Sequence, residues 1–406
     1  MMRWRGAMLD ISRHFFDKDF IKKTLSSLAI FDYNVLHLHL TDDQGWRLES
    51  KRFPELHLTG STRKHSQNNH GLLEPTYDEL PHSGFLTHED IKELIEHGKS
   101  VGIQIVPEIN IPGHTGALLA AYPQFGVNQR NVEVSGRWGI SDFLLTPLPE
   151  TFTFIEEILT EVSELFTSDY IHVGGDESLI ENWQQDSAVI DFMRENGYST
   201  TKDVFAFFMK EIEKILNKLG KEMITWDDAF AFNPEQATQA TVMSWRGPKV
   251  AEIALSFGRK VIQAPVFPTY FDYAQEVSEK EPLSIGAPIT LEDVLSFKPL
   301  AGVEGVQFQL WTEYIKHPDH AEYMMWPRAA ALAYGCWGTG ENFADYFGER
   351  KKKLEDLGVT IRDESPVLRQ RISQLGIGGY FRGFDTKEMM KKLEESATAG
   401  EVAHDF

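Results

Sequence analysis

The sequence predicts an α/β protein built as a closed (β/α)8 barrel, the TIM-barrel architecture. Short apolar or alternating runs recur along the chain, and most are followed by a stretch with helical periodicity, which is typical of parallel βαβ units. Polar and aromatic residues also concentrate at the ends of the predicted strands, where a barrel enzyme assembles its site. An open, doubly wound sheet is the alternative that this pattern leaves open.

The predicted strands alternate with helices over most of the chain. The strands are residues 8–11, 35–40, 103–108, 170–175, 221–226, 241–245, 260–264 and 303–311. Helices are expected at residues 17–31, 88–100, 149–166, 200–219, 248–257 and 321–334. We therefore assign residues 1–360 to a barrel domain, and predict a C-terminal extension of short helices with a polar, frayed tail at residues 361–406.

The composition restricts the classes of partner. The chain of 406 residues has 61 acidic and 40 basic residues and a formal net charge of −21, so nucleic acid and anionic membranes are not expected partners. Its one cysteine, Cys336, excludes an internal disulfide and a multi-cysteine metal site. Residues 1–16 lack the apolar core of a signal peptide, so a cytoplasmic location is expected, although a fragment of a larger secreted protein would show the same pattern.

Chemically active side chains follow the predicted strands closely. They are Asp42, Asp43, Gln44, Trp46, Glu108, Asn110, His114, Asp176, Glu177, Trp226, Asp227, Asp228, Trp245, Arg246, Tyr270, Asp272, Trp311 and Glu313. Because the C-terminal ends of barrel strands meet at one rim, we expect these side chains to face a shared site.

The segment HVGGDE, from His172, carries a pair of adjacent carboxylates. Gly174 and Gly175 allow a tight turn and a close approach of the backbone to a ligand. Asp176 and Glu177 are neighbours and project in different directions, so one can protonate a leaving oxygen while the other orients a neighbouring group of the substrate. The competing interpretation is a solvated loop with two acids.

Aromatic residues at the strand ends indicate a sugar as the ligand. They are Trp226, Trp245, Trp311 and Tyr270. Flat aromatic walls suit the apolar faces of a pyranose ring, whereas Asp272, Glu313 and Arg5 could bind ring hydroxyls from the edge. Any one tryptophan would more often be a core residue, but several at one rim favour a binding role.

His37 and His39 allow a different hypothesis. An HxH pair at a strand end, with acidic residues nearby, is typical of metal-dependent amidohydrolase barrels. This pair, however, precedes the strand end and points into one layer of the barrel, which favours ordinary hydrogen-bonded interior histidines. His114 lies in a tight turn at the rim and is the better functional candidate.

Together the motifs resemble a known family. They are RGAMLDISRHF from Arg5, NVLHLHLTDDQGWRLE from Asn34, PEINIPGHT from Pro107, HVGGDE from His172, TWDD from Thr225, MSWRG from Met243, YFDY from Tyr270 and QLWTEYI from Gln309. In this order, over about residues 3–360, they resemble glycoside hydrolase family 20, the β-N-acetylhexosaminidases. Many members carry a small α+β domain ahead of the barrel, and this sequence begins almost at the first barrel strand.

The resemblance implies a role for each carboxylate of the pair. Glu177 takes the position of the general acid/base, and Asp176 that of the residue that orients the 2-acetamido group of the substrate and stays ionised beside it. In this family that group is itself the nucleophile and forms an oxazolinium intermediate, so the mechanism departs from the usual two-carboxylate scheme. Tyr270 would donate its hydroxyl to the acetamido oxygen. Asp42 and His114 would form a hydrogen-bonded relay to the acid, with Asp43 as the competing aspartate.

The resemblance also implies a substrate and a binding mode. Trp226, Trp245 and Trp311 would enclose the acetamido group and the sugar, whereas Arg5, Asp272 and Glu313 would hold the outer hydroxyls. The expected activity is therefore that of a retaining, exo-acting β-N-acetylhexosaminidase acting on terminal GlcNAc or GalNAc of glycans. No metal or organic cofactor is expected, and a homodimer is compatible with the family. A metal-dependent hydrolase and a catalytically silent glycan-binding barrel are the alternatives.

Overall fold

The computed structural model describes residues 2–278, 280–340, 342–362 and 386–401. Parallel strands form a closed eight-stranded barrel, in the spatial order β1-β8-β7-β6-β5-β4-β3-β2. The strands are β1 Trp4–Asp10, β2 Val35–His39, β3 Gln104–Glu108, β4 Tyr170–His172, β5 Glu222–Trp226, β6 Thr241–Ser244, β7 Val261–Gln263 and β8 Gly305–Leu310. The predicted barrel is confirmed, and closure of β1 against both β2 and β8 excludes the open sheet.

Helices connect the strands and cover the outside of the barrel. In the described residues they are Lys18–Ala29, Glu55–Leu58, His88–Val101, Gly116–Ala121, Pro149–Leu165, Ser187–Asn196, Thr201–Lys218, Asp228–Ala231, Pro248–Ser256, Val266–Thr269, Leu291–Ser296, Pro318–Met325, Arg328–Cys336, Phe343–Asp356 and Thr386–Ala399. Thr87 and Thr200 each begin a long helix with a reciprocal capping box, which fixes where the chain turns from loop into helix.

Three element boundaries differ from the prediction for identifiable reasons. β1 begins at Trp4 rather than at residue 8, because Trp4 is buried and pairs with Gly305 of β8. β4 ends at His172 rather than at residue 175, since Gly174 leaves the extended conformation with a φ of 69°. The helix expected at residues 321–334 is divided into two, with Pro327 between them.

The helix Thr386–Ala399, here called the C-terminal helix, packs on the barrel rather than projecting into solvent. Met389, Leu393 and Ala397 are buried, and their spacing of four residues places them on one face of the helix. Residues 363–385 of the predicted extension and its polar tail at residues 402–406 lie outside the described residues. Among the described helices, none combines the length and the apolar composition that crossing a bilayer requires.

Candidate active site

The turn after β4 presents the two adjacent carboxylates. Gly174 and Gly175 have φ values of 69° and 88°, and Glu177 itself has a φ of 45°, an uncommon conformation for a residue with a side chain. A β-carbon on Gly174 would overlap the side-chain amide of Asn110. The predicted tight turn is present. Its constrained backbone fixes the positions from which the side chains of Asp176 and Glu177 project.

Asp176 is buried beside a hydrogen-bond donor and a cation. The Nδ2 atom of Asn110 donates to Oδ1 of Asp176 at 2.9 Å, and Nε2 of His114 lies 3.6 Å from Oδ2. Burial raises the pKa of Asp176 to about 7, although the charge of His114 acts in the opposite direction. Full ionisation of Asp176, which the family resemblance implies, is therefore reached only above neutral pH.

Glu177 lies at one end of a buried chain of polar groups. Nε2 of His114 is 3.3 Å from Oε2 of Glu177, and Nδ1 of His114 is 3.2 Å from Oδ1 of Asp42. Asp42 and Asp176 raise the pKa of His114 well above its usual value, against the effect of burial. Asp43 is farther from His114, at 3.7 Å, and accepts hydrogen bonds from Gly116 and Ser141 instead. The structure therefore places Asp42, not Asp43, next to His114.

The chain of polar groups continues beyond Asp42 into the barrel interior. His39 donates from Nε2 to Asp42 at 2.8 Å and from Nδ1 to Glu108 at 2.6 Å, and Glu108 also accepts from Nε1 of Trp226 at 2.9 Å. Although burial acts against it, Glu108 and Asp42 raise the pKa of His39 to about 10, which makes both of its nitrogens donors. His39 and Glu108 thus connect the wall residue Trp226 to the carboxylate relay.

Tryptophans form the walls of a cleft that Asp176 also lines, here called the central pocket. Trp226, Trp245, Trp311 and Tyr270 all line it. Trp245 is held in place by Asp228, whose Oδ2 accepts its Nε1–H at 2.8 Å, and by Asp227, whose Oδ2 accepts its backbone N–H at 2.9 Å. The second acid of the Trp-Asp-Asp motif is therefore a support for a wall residue.

The predicted role of Arg5 is wrong. Arg5 is the second residue of β1, at the end of the barrel opposite the pocket, and its guanidinium donates to the carbonyls of Met2 and Asp32. Arg13 occupies the pocket instead, because it follows the C-terminal end of β1. Arg5 and Arg13 belong to the same sequence motif, and the hydroxyl-binding role that the resemblance implies fits the position of Arg13 rather than that of Arg5.

Arg13 lies among carboxylates on one side of the pocket. Its guanidinium is 3.0 Å from Asp42, 3.2 Å from Asp10 and 3.6 Å from Glu313. Asp272 lines the same side, and its Oδ1 is buried without a hydrogen-bond partner among the described residues. Burial and the charge of Glu313 raise the pKa of Asp272 well above its usual value. This carboxyl is free to bind a hydroxyl group of a ligand.

The histidines of β2 are interior, hydrogen-bonded residues, as predicted. His37 and His39 are fully buried, and Nδ1 of His37 pairs with the side-chain amide of Gln307 at 3.1 Å. His37, Glu108 and His172 lie close enough together to hold a metal ion. Glu108 is however already shared among His37, His39 and Trp226, and this arrangement is that of a hydrogen-bond network in the barrel interior.

The position of Asp176 predicts the acid side of the pH dependence. For the activity that the family resemblance implies, measured with a leaving group that needs no proton, kcat/KM is expected to fall as the pH drops below about 7, because Asp176 then takes up a proton. Asn110→Ala removes a bond that stabilises the charged form, so the midpoint is expected to rise by about 0.5–1 pH unit. Rates measured between about pH 4 and 9 check this. An unchanged midpoint in the variant would contradict it.

Comparison with known proteins agrees with this geometry. Residues 2–339 match the family model described as "Glycosyl hydrolase family 20, catalytic domain". The chain belongs to glycosyl hydrolase family 20. Among the curated proteins it is 35% identical to a β-hexosaminidase of Porphyromonas gingivalis, over 84% of this chain and 44% of the relative. It is 34% identical to a β-hexosaminidase of Vibrio furnissii, over 82% of this chain and 56% of the relative.

Solved structures show the same likeness for this family 20 chain. The exo-β-N-acetylglucosaminidase of Vibrio harveyi in complex with N-acetylglucosamine superposes with a TM-score of 0.78 and 31% identity, over 89% of this chain and 59% of that one. A β-hexosaminidase of Streptomyces plicatus gives a TM-score of 0.70 and 27% identity, over 94% of this chain and 70% of that one. The chain thus spans about half the length of the curated relatives named above.

Sequence reasoning missed some residues that the structure brings to this family 20 site. Arg13 had a usable signal, because it follows the predicted end of β1 at residue 11, but the family resemblance assigned its role to Arg5. His39 was interpreted only as an interior histidine; Glu108 was expected at the site, but the pairing of the two across β2 and β3 is set by the barrel register. Met389 and Leu393, from the C-terminal helix, also line the central pocket. Their spacing of four residues was the available signal, but the sequence did not show where that helix docks.

Proposed function

We propose that this chain is a retaining, exo-acting β-N-acetylhexosaminidase that uses the acetamido group of its substrate as the nucleophile. One observation carries the proposal: Asp176 and Glu177 lie side by side in a tryptophan-walled pocket, with Glu177 connected through His114 to Asp42. The β-hexosaminidase names of the relatives agree with it. Such a pair suits a reaction in which one acid transfers a proton while the other holds an amide.

The proposed first step makes the intermediate within the substrate. Asp176 accepts the N–H of the acetamido group, and its carbonyl oxygen, assisted by the hydroxyl of Tyr270, attacks the anomeric carbon. Glu177 gives its proton to the glycosidic oxygen, so the bond to the leaving group breaks and an oxazolinium ion forms. Because the nucleophile is already attached to the reacting sugar, the step has the proximity advantage of an intramolecular reaction.

In the second step Glu177 acts as a base. It removes a proton from a water molecule, whose oxygen attacks the anomeric carbon from the face that the leaving group vacated. The oxazolinium ring opens, the acetamido group is restored, and the product keeps the β configuration. The carboxylate of Asp176 stabilises the positive charge of the intermediate, an electrostatic effect that is strong in a site from which water is largely excluded.

The polar side of the pocket favours an exo mode of action. Arg13, Glu313 and Asp272 face the space that the outer hydroxyls of a terminal sugar would occupy, and the unpartnered Oδ1 of Asp272 is an acceptor for one of them. A further sugar attached at those hydroxyls would have to displace buried charged groups. We therefore propose glycans that end in a β-linked N-acetylhexosamine as the substrates.

The test uses substrates that differ at the 2-position. Wild-type protein is expected to hydrolyse p-nitrophenyl N-acetyl-β-D-glucosaminide or the galactosaminide, and to leave the matching β-glucoside, which has no acetamide, unchanged. Mono-, di- and trifluorinated acetamides are expected to lower kcat progressively, because fluorine weakens the attacking oxygen. Equal rates across the fluorinated series would exclude the internal nucleophile. If neither N-acetylated substrate is hydrolysed, the alternative of a catalytically silent glycan-binding barrel is favoured. If turnover is lost when a chelator is added, the alternative of a metal-dependent hydrolase is favoured.

A further inference from the structure

The C-terminal helix approaches the active site from outside the family domain. The matched family domain ends at residue 339, whereas this helix spans Thr386–Ala399. Two residues of its buried face, Met389 and Leu393, line the central pocket together with Trp245, Tyr273 and Ile285. Met389 is 5% exposed and Leu393 is 2% exposed, so both side chains are packed rather than suspended over the opening.

Polar contacts attach the end of this helix to Arg246, in the loop after β6, and to Lys202, at the start of the helix Thr201–Lys218. Nη1 of Arg246 donates to the carbonyl of Glu401 at 2.9 Å, and Nζ of Lys202 donates to the carbonyl of Gly400 at 2.7 Å. Gly400 has a φ of 63°, and a β-carbon there would lie 2.6 Å from the carbonyl oxygen of Ala231. Only glycine fits this close approach without strain.

The attachment point is part of the site. Arg246 directly follows the wall residue Trp245, and its Nε donates to Oδ1 of Asp227 at 2.7 Å. Asp227 also accepts the backbone N–H of Trp245. The same buried carboxylate therefore holds a wall of the pocket and the arginine that anchors the C-terminal segment, so the helix and the wall are positioned together.

Contacts at the other end of the helix place Met389 beside the polar side of the pocket. The hydroxyl of Tyr273 donates to Sδ of Met389 at 3.5 Å, and Tyr273 immediately follows Asp272. Leu393 lies one helical turn farther along the same face. The two side chains thus form an apolar strip on the pocket wall.

We infer that the C-terminal helix is a wall of the substrate pocket, and that Met389 and Leu393 are specificity-determining residues that contact the bound terminal sugar. This inference rests on the proposed function and adds to it a binding element from beyond the family domain. An apolar contact of this kind strengthens binding of the sugar without taking part in bond breaking. Its loss should therefore appear in KM and in product affinity, with little change in kcat.

Single substitutions in the full chain test the inference. Met389→Ala and Leu393→Ala are each expected to raise KM for p-nitrophenyl N-acetylglucosaminide by about 5- to 20-fold, with kcat within about 2-fold of wild type. The dissociation constant of N-acetylglucosamine, measured by calorimetry, should rise by a similar factor. Met389→Leu keeps an apolar side chain and is expected to restore both values. Lys391→Ala, on the exposed face of the same helix, is the matched control.

The outcomes separate the two proposals. Alanine variants that bind N-acetylglucosamine as tightly as wild type would overturn the inference. Tighter binding would also overturn it, because it would show that the helix obstructs the pocket. A parallel fall in kcat and in melting temperature, not restored by Met389→Leu, would show a structural role only and would also overturn it. Wild type that binds N-acetylglucosamine without hydrolysing either substrate would count against the proposed function alone. Wild type that neither binds N-acetylglucosamine nor hydrolyses the N-acetylated substrates would overturn both.

Discussion

Asp176→Asn is expected to lower kcat/KM by about 10³-fold on every N-acetylhexosaminide, whatever its leaving group. An asparagine is nearly isosteric but neutral, so it can neither accept the amide N–H as a carboxylate does nor stabilise the positive oxazolinium. Formation of that intermediate precedes any help from an external nucleophile, so added azide should not restore the rate. Steady-state rates with p-nitrophenyl and dinitrophenyl glycosides measure the effect.

A matched control is available on the same strand region. Asp169→Asn makes the identical chemical change just before β4, at the opposite end of that strand and on an exposed side chain, and it is expected to leave kcat/KM within about 2-fold of wild type. If Asp176→Asn hydrolysed good and poor substrates at rates close to those of Asp169→Asn, Asp176 would have no part in the reaction.

Glu177→Gln is expected to have an effect that depends on the leaving group. For an alkyl or sugar aglycone, which needs a proton to depart, kcat/KM should fall by about 10³- to 10⁴-fold. A dinitrophenyl aglycone leaves without a proton, so the first step should be much less affected and the second step, which needs a base, should limit turnover. Azide needs no deprotonation and is expected to raise that turnover and to give a β-configured glycosyl azide.

The control for Glu177 lies four residues along the chain. Glu181 is exposed and accepts a hydrogen bond from the hydroxyl of Thr201, so Glu181→Gln removes a negative charge nearby without entering the pocket. Its rates should follow those of wild type for each aglycone. A Glu177→Gln variant equally slow with every leaving group, and insensitive to azide, would contradict the acid/base role and would suggest a general loss of binding.

The barrel could be predicted from the sequence because each strand is short, apolar and followed by a clear helical pattern. The turn at Gly174 and Gly175 was also predictable, since two glycines at a strand end have a direct conformational meaning. The strand boundaries at Trp4 and His172 were not, because a buried tryptophan next to Arg5 and a valine before the glycines do not show where hydrogen-bonded pairing begins and ends.

The site was predictable where a motif places a side chain directly at a strand end, as for Asp176, Trp226 and Tyr270. It was not predictable where position depends on distant elements. His39 and Glu108 meet through the register of two strands almost 70 positions apart. Met389 lies at the pocket on a helix whose far end Arg246 and Lys202 hold near Gly400. Contacts between parts of the chain so far apart in sequence are fixed by tertiary packing, which local patterns do not encode.

The contacts of Arg13 have a consequence for how the protein reaches its active form. Its guanidinium joins Asp10 at the end of β1, Asp42 beyond β2 and Glu313 beyond β8, and the backbone N–H of Thr312 also bonds to Asp10. The first and last strands of the barrel therefore meet where the outer hydroxyls of the proposed substrate would lie. A chain still being synthesised, or one cut before β8, has the Asp176–Glu177 pair but no complete hydroxyl-binding side. Hydrolytic activity should accordingly appear only after the final strand has docked, which makes turnover a direct reporter of ring closure during refolding.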